Sequence, residues 1–107
     1  MSQVSNRPGQ LCGGTGHVKH ANAEVQKICD EVKPEVEKKA GKNFDVFKAT
    51  AFSSQSVAGT NYFIKVQVGE SDYMHIRVFR SLPSEGYKLS LHDIQTPKTL
   101  QDPIEFF

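Results

Sequence analysis

The first pattern in the chain is a helical one. Apolar side chains recur at intervals of three and four residues, which places them on one face of an α-helix: Val25, Ile28, Cys29, Val32 and Val36. Asn22 is a suitable N-cap before the first turn, and Gly41 can end the helix. Pro34 removes one backbone hydrogen bond. We therefore expect a helix between residues 22 and 41, with a kink near residues 30–34.

After Gly41 the hydrophobic period changes to two, which is typical of half-buried β-strands. Phe44 and Val46 open the first run on the same face. Polar or glycine-containing turns separate four such runs, which cover residues 44–51, 62–68, 74–78 and 87–91. His75 and His92 fall on positions that this alternation assigns to solvent. Short turns favour an antiparallel sheet, so we predict an α+β fold in which one helix packs on a curved antiparallel sheet of four to five strands.

Length and charge narrow the class of protein. A chain of 107 residues predicts a single domain, residues 1–107, in which residues 1–10 form a flexible N-terminal extension. The net charge of +1 argues against a nucleic-acid partner, and no stretch has the length of a membrane span. The polar start of the chain lacks the apolar core of a secretory signal. The two cysteines, Cys12 and Cys29, do not form a disulfide framework, which favours a reducing intracellular location.

Signatures of enzymes and metal sites are weak. Gly13, Gly14 and Gly16 resemble a phosphate loop, but no strand precedes them and no Lys-Ser/Thr pair follows. Cys12 could be paired with His17 or His20 as a nucleophile and its base, and the same three residues with Cys29 could be drawn as a zinc set. The spacing fits no usual zinc pattern, and Cys29 on the apolar helix face is more simply a small buried hydrophobe. We predict no catalytic residue, metal or cofactor. A thiol enzyme dependent on Cys12 stays an alternative.

The most unusual feature lies between the first two strands. The segment Gln55-Ser56-Val57-Ala58-Gly59 places apolar residues at a hairpin tip, where turns normally carry Asn, Asp, Pro or Gly. Either the segment folds back on the core or simply continues a strand, or the groove of a partner buries it. Leu82 and Pro83 form a second apolar turn, and alternate turns of an antiparallel sheet lie at the same end. With Leu11 and Cys12 from the N-terminus, three apolar tips would form a narrow wedge.

These segments resemble a known family. Residues 55–59 match the Gln-x-Val-x-Gly signature of cystatins, and residues 57–66 and 78–83 resemble the two hairpins of the stefin (type 1 cystatin) family. Residues 11–14 are similar to the stefin N-terminal trunk with its functional glycine, and the resemblance extends from about Leu11 to Phe107. It implies a cystatin-like fold. It also implies a reversible, competitive inhibitor of papain-like cysteine proteases, such as cathepsins of the L, S, H and B types, that resides in the cytoplasm and also the nucleus.

The resemblance also implies which residues bind the protease. The trunk would enter the non-primed side of the cleft, the first hairpin would lie beside the catalytic residues, and the second would rest on the primed side: Leu11, Cys12, Gly13, Gly14, Gln55, Ser56, Val57, Ala58, Gly59, Leu82 and Pro83. Ser56 departs from the valine that the family usually carries, and residues 1–10 precede the usual start of a stefin. The alternative is a non-inhibitory cystatin-fold binding module. We expect a monomer whose first hairpin could also exchange with a second chain in a swapped dimer.

Overall fold

The structure, a computed structural model, describes residues 17–107 of the chain. One α-helix and five antiparallel strands, paired in the order β1-β2-β3-β4-β5, form the fold. The elements, in chain order, are β1 Lys19–His20, α1 Ala23–Ala40, β2 Lys48–Val57, β3 Gly59–Gln67, β4 Tyr73–Arg80 and β5 Leu89–Lys98. The predicted α+β architecture, with one helix on an antiparallel sheet, is confirmed. Within the described residues, no helix combines the length and the apolar content that crossing a bilayer requires.

Helix α1 has the ends that the sequence predicts. The Oδ1 atom of Asn22 accepts a hydrogen bond of 2.8 Å from the backbone N–H of Val25, so Asn22 is the N-cap. Gly41 follows the last turn with φ +78°, and its N–H donates to the carbonyl oxygen of Glu37. The helix continues through the exposed Pro34 without a break in its 18 residues. The kink near residues 30–34 stays a prediction.

The main core lies between α1 and one face of the sheet. All five apolar helix residues of the predicted face are buried, and Cys29 among them is fully buried, as a small hydrophobe would be. The sheet contributes side chains from its three central strands, which are Ala49, Phe52, Tyr62, Ile64, Val66, Met74, Ile76 and Val78. Burying this apolar surface is the dominant favourable term in forming the fold.

The segment before β2 departs from the prediction. The sequence analysis places Phe44 and Val46 on one face of a strand, but β2 begins only at Lys48, and Val46 is 43% exposed. Phe44 and Phe47 are the buried pair, with ring centroids 5.8 Å apart, so the apolar spacing here is three rather than two. Helix side chains bond the backbone of this segment in place of a neighbouring strand: Glu37 accepts from the N–H of Phe44, and Gln26 bonds the carbonyl of Phe47.

The second face of the sheet is covered as well, which the alternation did not predict. The C-terminal strap, residues 99–107, lies across this face. The Nζ atom of Lys65 donates to the main-chain oxygens of Leu100 and Asp102, the latter at 2.6 Å. Nη1 of Arg77 donates to the main-chain oxygen of Phe107 at 2.6 Å. The fully buried ring of Phe63 contacts the rings of Phe106 and Phe107 at 5.5 and 5.8 Å. Strands β3 and β4 are therefore buried on both faces.

His75 illustrates this second interior. The prediction that His75 faces solvent is wrong, because the residue is 1% exposed, whereas His92 is exposed as expected. The Nε2 atom of His75 is buried without a hydrogen-bond partner among the described residues. Burial, with the nearby charges of Lys65 and Lys98 opposed by Asp102, lowers the pKa of His75 to about 4. The imidazole is therefore held neutral beneath the strap.

This environment predicts a loss of stability in mild acid. The pKa of His75 is about 4 in the folded protein and 6.5 when unperturbed, so between these values the unfolded chain binds more protons. The stabilising contribution of neutral His75 is complete above pH 6.5 and falls progressively towards pH 4. We expect it to amount to about 3 kcal/mol at neutral pH. Urea unfolding at pH 7.5, 6.0, 5.0 and 4.5 measures the slope.

The matched variants are His75→Gln, which removes the buried titrating group, and His92→Gln, which removes an exposed imidazole. Stability should depend less on pH in His75→Gln than in the wild-type protein, while His92→Gln should follow the wild type. Equal slopes in all three proteins would contradict the assignment.

Candidate functional site

Two connections lie side by side at one end of the sheet. The first loop, residues 55–59, joins β2 to β3, and the second loop, residues 81–88, joins β4 to β5. Thr60 at the start of β3 pairs with Arg80 at the end of β4, so the two loops leave the sheet at adjacent positions. The adjacency that the sequence predicts for these turns is confirmed. It follows that their apolar tips belong to one edge of the molecule.

The first loop keeps its apolar tip away from the core. Gln55 and Ser56 still belong to β2 and pair with Asn61 and Thr60, so the turn itself is confined to the residues around Ala58. Val57 is 49% exposed, and Ser56 and Ala58 are exposed too. The alternative in which this tip folds back on the core is therefore wrong. The alternative in which the segment continues a strand is confirmed for residues 55–57, which belong to β2. An exposed valine and alanine at a loop tip are available to a partner's groove.

Gly59 makes this tight turn sterically feasible. Its φ of +125° is a backbone conformation that residues with a Cβ rarely adopt. A Cβ at this position would lie 2.6 Å from the carbonyl oxygen of Arg80 and 2.6 Å from the ring of Phe79. Val57 is not among the residues with positive φ, so its β-branch adds no such strain to the turn. Glycine is thus required both by the backbone angle and by the close approach of β4.

The second loop presents its own apolar tip. Leu82 is 41% exposed and Pro83, also exposed, begins a short 3-10 turn over Pro83–Glu85. The loop is closed by hydrogen bonds across its base, where the N–H of Ser81 donates to the carbonyl of Lys88 at 2.9 Å and the N–H of Lys88 donates to Oγ of Ser81 at 2.8 Å. Leu82 is therefore held on a hydrogen-bonded scaffold before any partner binds.

Arg80 and Tyr87 belong to this edge, although the sequence analysis did not select them. Nη1 of Arg80 donates to Oε2 of Glu24 at 2.8 Å, and the guanidinium lies 5.3 Å from the ring of Tyr62 and 4.8 Å from the ring of Tyr87. Arg80 thus joins the helix, the sheet and the second loop. Glu24 lies 56 positions from Arg80 in the chain, so no local pattern could have indicated the contact.

The trunk is the third predicted component of the edge, and Cys12 and Cys29 are the thiols of the alternative sites. Leu11, Cys12, Gly13 and Gly14 lie outside the described residues. Burial, reinforced by the charge of Asp30, raises the pKa of Cys29 to about 12, so this fully buried thiol stays protonated at neutral pH. Across residues 17–107, no three His, Cys, Asp or Glu side chains are grouped to hold a metal ion.

Comparisons with known proteins agree with this geometry. The family model of the cystatin domain matches residues 13–101. The chain is 50% identical over 97 residues to Cystatin-B of Oplegnathus fasciatus, an alignment that covers 91% of this chain and 97% of the relative. It is 52% identical to Cystatin-B of Macaca fuscata fuscata and 50% identical to that of Homo sapiens, each over 91% of this chain and 99% of the relative.

The steric requirement at Gly59 can be tested by substitution. Gly59→Ala places a methyl group against Arg80 and Phe79 in a disfavoured backbone conformation, and we expect a loss of about 2–4 kcal/mol in the free energy of unfolding. Gly41→Ala is the matched control, because Gly41 also has positive φ, but a Cβ there meets nothing within 4 Å. Urea unfolding should show a clearly larger loss for Gly59→Ala. Losses of equal size would mean that the close approach of β4 adds nothing to the backbone strain.

Proposed function

The chain belongs to the cystatin family, and from this premise we propose that it is a reversible, competitive, tight-binding inhibitor of papain-like cysteine proteases. Members of this family inhibit proteases and are not enzymes. The observation that carries the proposal is the pair of exposed apolar tips, Val57 and Leu82, on adjacent loops of one edge. Cathepsins of the L, S, H and B types are the proposed targets.

The proposed mechanism is the occupation of the protease cleft by a wedge. Residues 55–59 of the first loop lie beside the catalytic cysteine and histidine, and Leu82 with Pro83 rests on the primed side. Leu11 and Cys12 of the trunk take the non-primed pockets. Gly13 and Gly14 let the trunk turn away before a peptide bond reaches the attacking sulfur. The catalytic sulfur then has no peptide bond in a position that it can attack, so the protease does not cleave the inhibitor.

The structure of the two loops supports tight binding without a covalent bond. Strand pairing holds the first loop in place. The second loop is held by hydrogen bonds across its own base. Loops that are ordered before binding lose little conformational entropy in the complex. We expect the contribution of the trunk to vary with the protease and to act mainly on dissociation.

The proposal extends to cellular location and oligomeric state. We propose that the protein acts as a monomer in the cytoplasm and also in the nucleus. A dimer formed by exchange across the first hairpin would straighten residues 55–59 into continuous strand pairing and so remove one part of the wedge. Monomer and dimer can be separated by size-exclusion chromatography after mild heating, and only the monomer should inhibit.

Titration of papain with the purified monomer tests the function directly. We expect a stoichiometric loss of hydrolysis of a small fluorogenic peptide. Activity should return on dilution and be competed by excess substrate, because the proposed inhibitor occupies the substrate cleft. Heat-unfolded or proteolysed protein is the control for a nonspecific loss of papain activity.

A folded monomer that leaves papain active at micromolar concentration would refute inhibition. That result would favour the alternative of a non-inhibitory cystatin-fold binding module. Turnover of a substrate by the protein itself, lost in Cys12→Ala, would instead indicate a thiol enzyme.

Ser56 provides a second test of the wedge. Its side chain is exposed at the motif position where the family usually has valine. Ser56→Val should lower the inhibition constant for papain about three- to tenfold, because the added apolar surface is buried in the complex. The control is Ser71→Val, an equally exposed serine in the turn between β3 and β4 at the other end of the sheet. If Ser56→Val and Ser71→Val left the constant equally unchanged, residue 56 would lie outside the interface.

A further inference from the structure

The guanidinium of Arg80 joins three parts of the molecule at the base of the second loop. Arg80 is the last residue of β4, and its backbone is paired on both sides, with Thr60 of β3 and Leu89 of β5. Its side chain, 23% exposed, contacts the rings of Tyr62 and Tyr87 and pairs with the carboxylate of Glu24. Because the sheet holds the backbone of Arg80 in place, its side chain can hold a residue of the second loop in a fixed position.

Tyr87 is the loop residue that most needs such an attachment. It is the one non-glycine residue with positive φ among those described, at +53°, and the residue is 54% exposed. A bulky residue in the left-handed region is strained unless surrounding contacts hold it there. The N–H of Tyr87 donates to the carbonyl oxygen of Leu82 at 3.1 Å. The position of Tyr87 and the position of Leu82 are therefore coupled.

We propose that Arg80 is a positioning residue for protease binding, which holds Tyr87 by a cation–π contact and through Tyr87 sets the place of Leu82 and Pro83. That the partner of this edge is a protease rests on the proposed function. That Arg80 orders the second loop does not depend on it. Arg80 need not touch the protease. It acts by keeping the second loop in the conformation that binds.

The two kinds of contact made by Arg80 contribute differently. Glu24 is 60% exposed, and an ion pair with so exposed a partner is screened by solvent and adds little. Tyr62 is buried and packs on Phe52 with ring centroids 6.3 Å apart, so the guanidinium rests on a fixed aromatic base. A planar guanidinium can stack on rings while its edge still donates to a carboxylate, which a lysine ammonium cannot reproduce. Loss of the stacking should therefore matter more than loss of the ion pair.

The first experiment measures papain kinetics in a double-mutant cycle. Arg80→Gln should increase the dissociation rate about five- to tenfold with little change in the association rate, and Arg80→Lys should restore part of the loss. Glu24→Gln should change the dissociation rate less than about twofold. The deciding comparison is Leu82→Ala, which should cost about tenfold in the wild-type background and about twofold beside Arg80→Gln.

Val57→Ala in the first loop is the control for general loosening of the edge. Its effect on the dissociation rate should be the same in the wild-type and Arg80→Gln backgrounds, because Arg80 is proposed to place only the second loop. If Leu82→Ala has the same cost in both backgrounds, the proposal is overturned. If Val57→Ala also loses its effect beside Arg80→Gln, Arg80 supports the whole edge and the specific proposal is equally overturned.

The second experiment requires no protease. Hydrogen exchange of the wild-type protein and Arg80→Gln is compared at the amides of Tyr87 and Lys88, which close the second loop, and at amides within β3. Exchange at the two loop amides should become about tenfold faster, and exchange in β3 should stay unchanged. Unchanged loop exchange would overturn the proposal.

The two experiments also separate the two hypotheses. A wild-type protein that fails to inhibit papain refutes the proposed function, and the exchange result then decides alone whether Arg80 orders the second loop. Inhibition by the wild-type protein, with no change in loop exchange or in the Leu82→Ala cycle, refutes the role of Arg80 and leaves the proposed function in place.

Discussion

The packing of helix α1 against one face of the sheet, from β2 to β5, is the contact on which the remaining structure depends. Val25, Ile28, Val32 and Val36 lie on one helix face and exclude water from one side of β2, β3 and β4. This burial holds the three strands in a common sheet whose register then determines which residues reach its ends. Because β3 and β4 are paired from Thr60 with Arg80 to Gln67 with Tyr73, both loops of the candidate site start from the same row of the sheet. The site is thus a consequence of register, and the helix secures the register.

The edge formed by the two loops contains few groups with chemical reactivity, and its capacity lies in shape and exposure. Its apolar residues are exposed although the fold has two interiors where apolar side chains are buried. Exposing these side chains to water costs free energy, and this cost is recovered when a partner covers the surface. Behind the tips, Nδ2 of Asn61 donates a hydrogen bond of 3.3 Å to Oε1 of Gln55. An edge of this kind suits the blocking of a cleft better than the catalysis of a reaction.

The sequence predicted the features that depend on local patterns. The helix and its caps follow from the spacing of five apolar residues and from Asn22 and Gly41, and the exposed tip at Val57 follows from an apolar residue in a turn. It failed where distant parts of the chain decide the environment. The carbonyl of Phe47 is bonded by Gln26 of the helix, 21 positions earlier. His75 is paired with Lys65 and lies on the sheet face that the strap crosses. Neither relation produces a periodic signal in the residues concerned. Arg80 was missed for the same reason, because its partners come from three elements.

The strap is held through side chains, the rings of Phe106 and Phe107 on Phe63 and the buried Ile104, and also through its backbone. Lys65 and Arg77 donate to main-chain oxygens of Leu100, Asp102 and Phe107, while the side chain of Leu100 is 55% exposed. Every amino acid has the same main-chain oxygen. A strap residue that accepts a hydrogen bond through this oxygen can therefore carry different side chains without losing the bond. Leu100 could therefore change freely over evolutionary time without loosening the strap. The donors underneath have no such freedom, since an uncharged or shorter side chain in place of Lys65 would leave two carbonyls without their partner. Variation at these backbone contacts should thus be one-sided, with an exposed position such as Leu100 drifting and the covered cations retained.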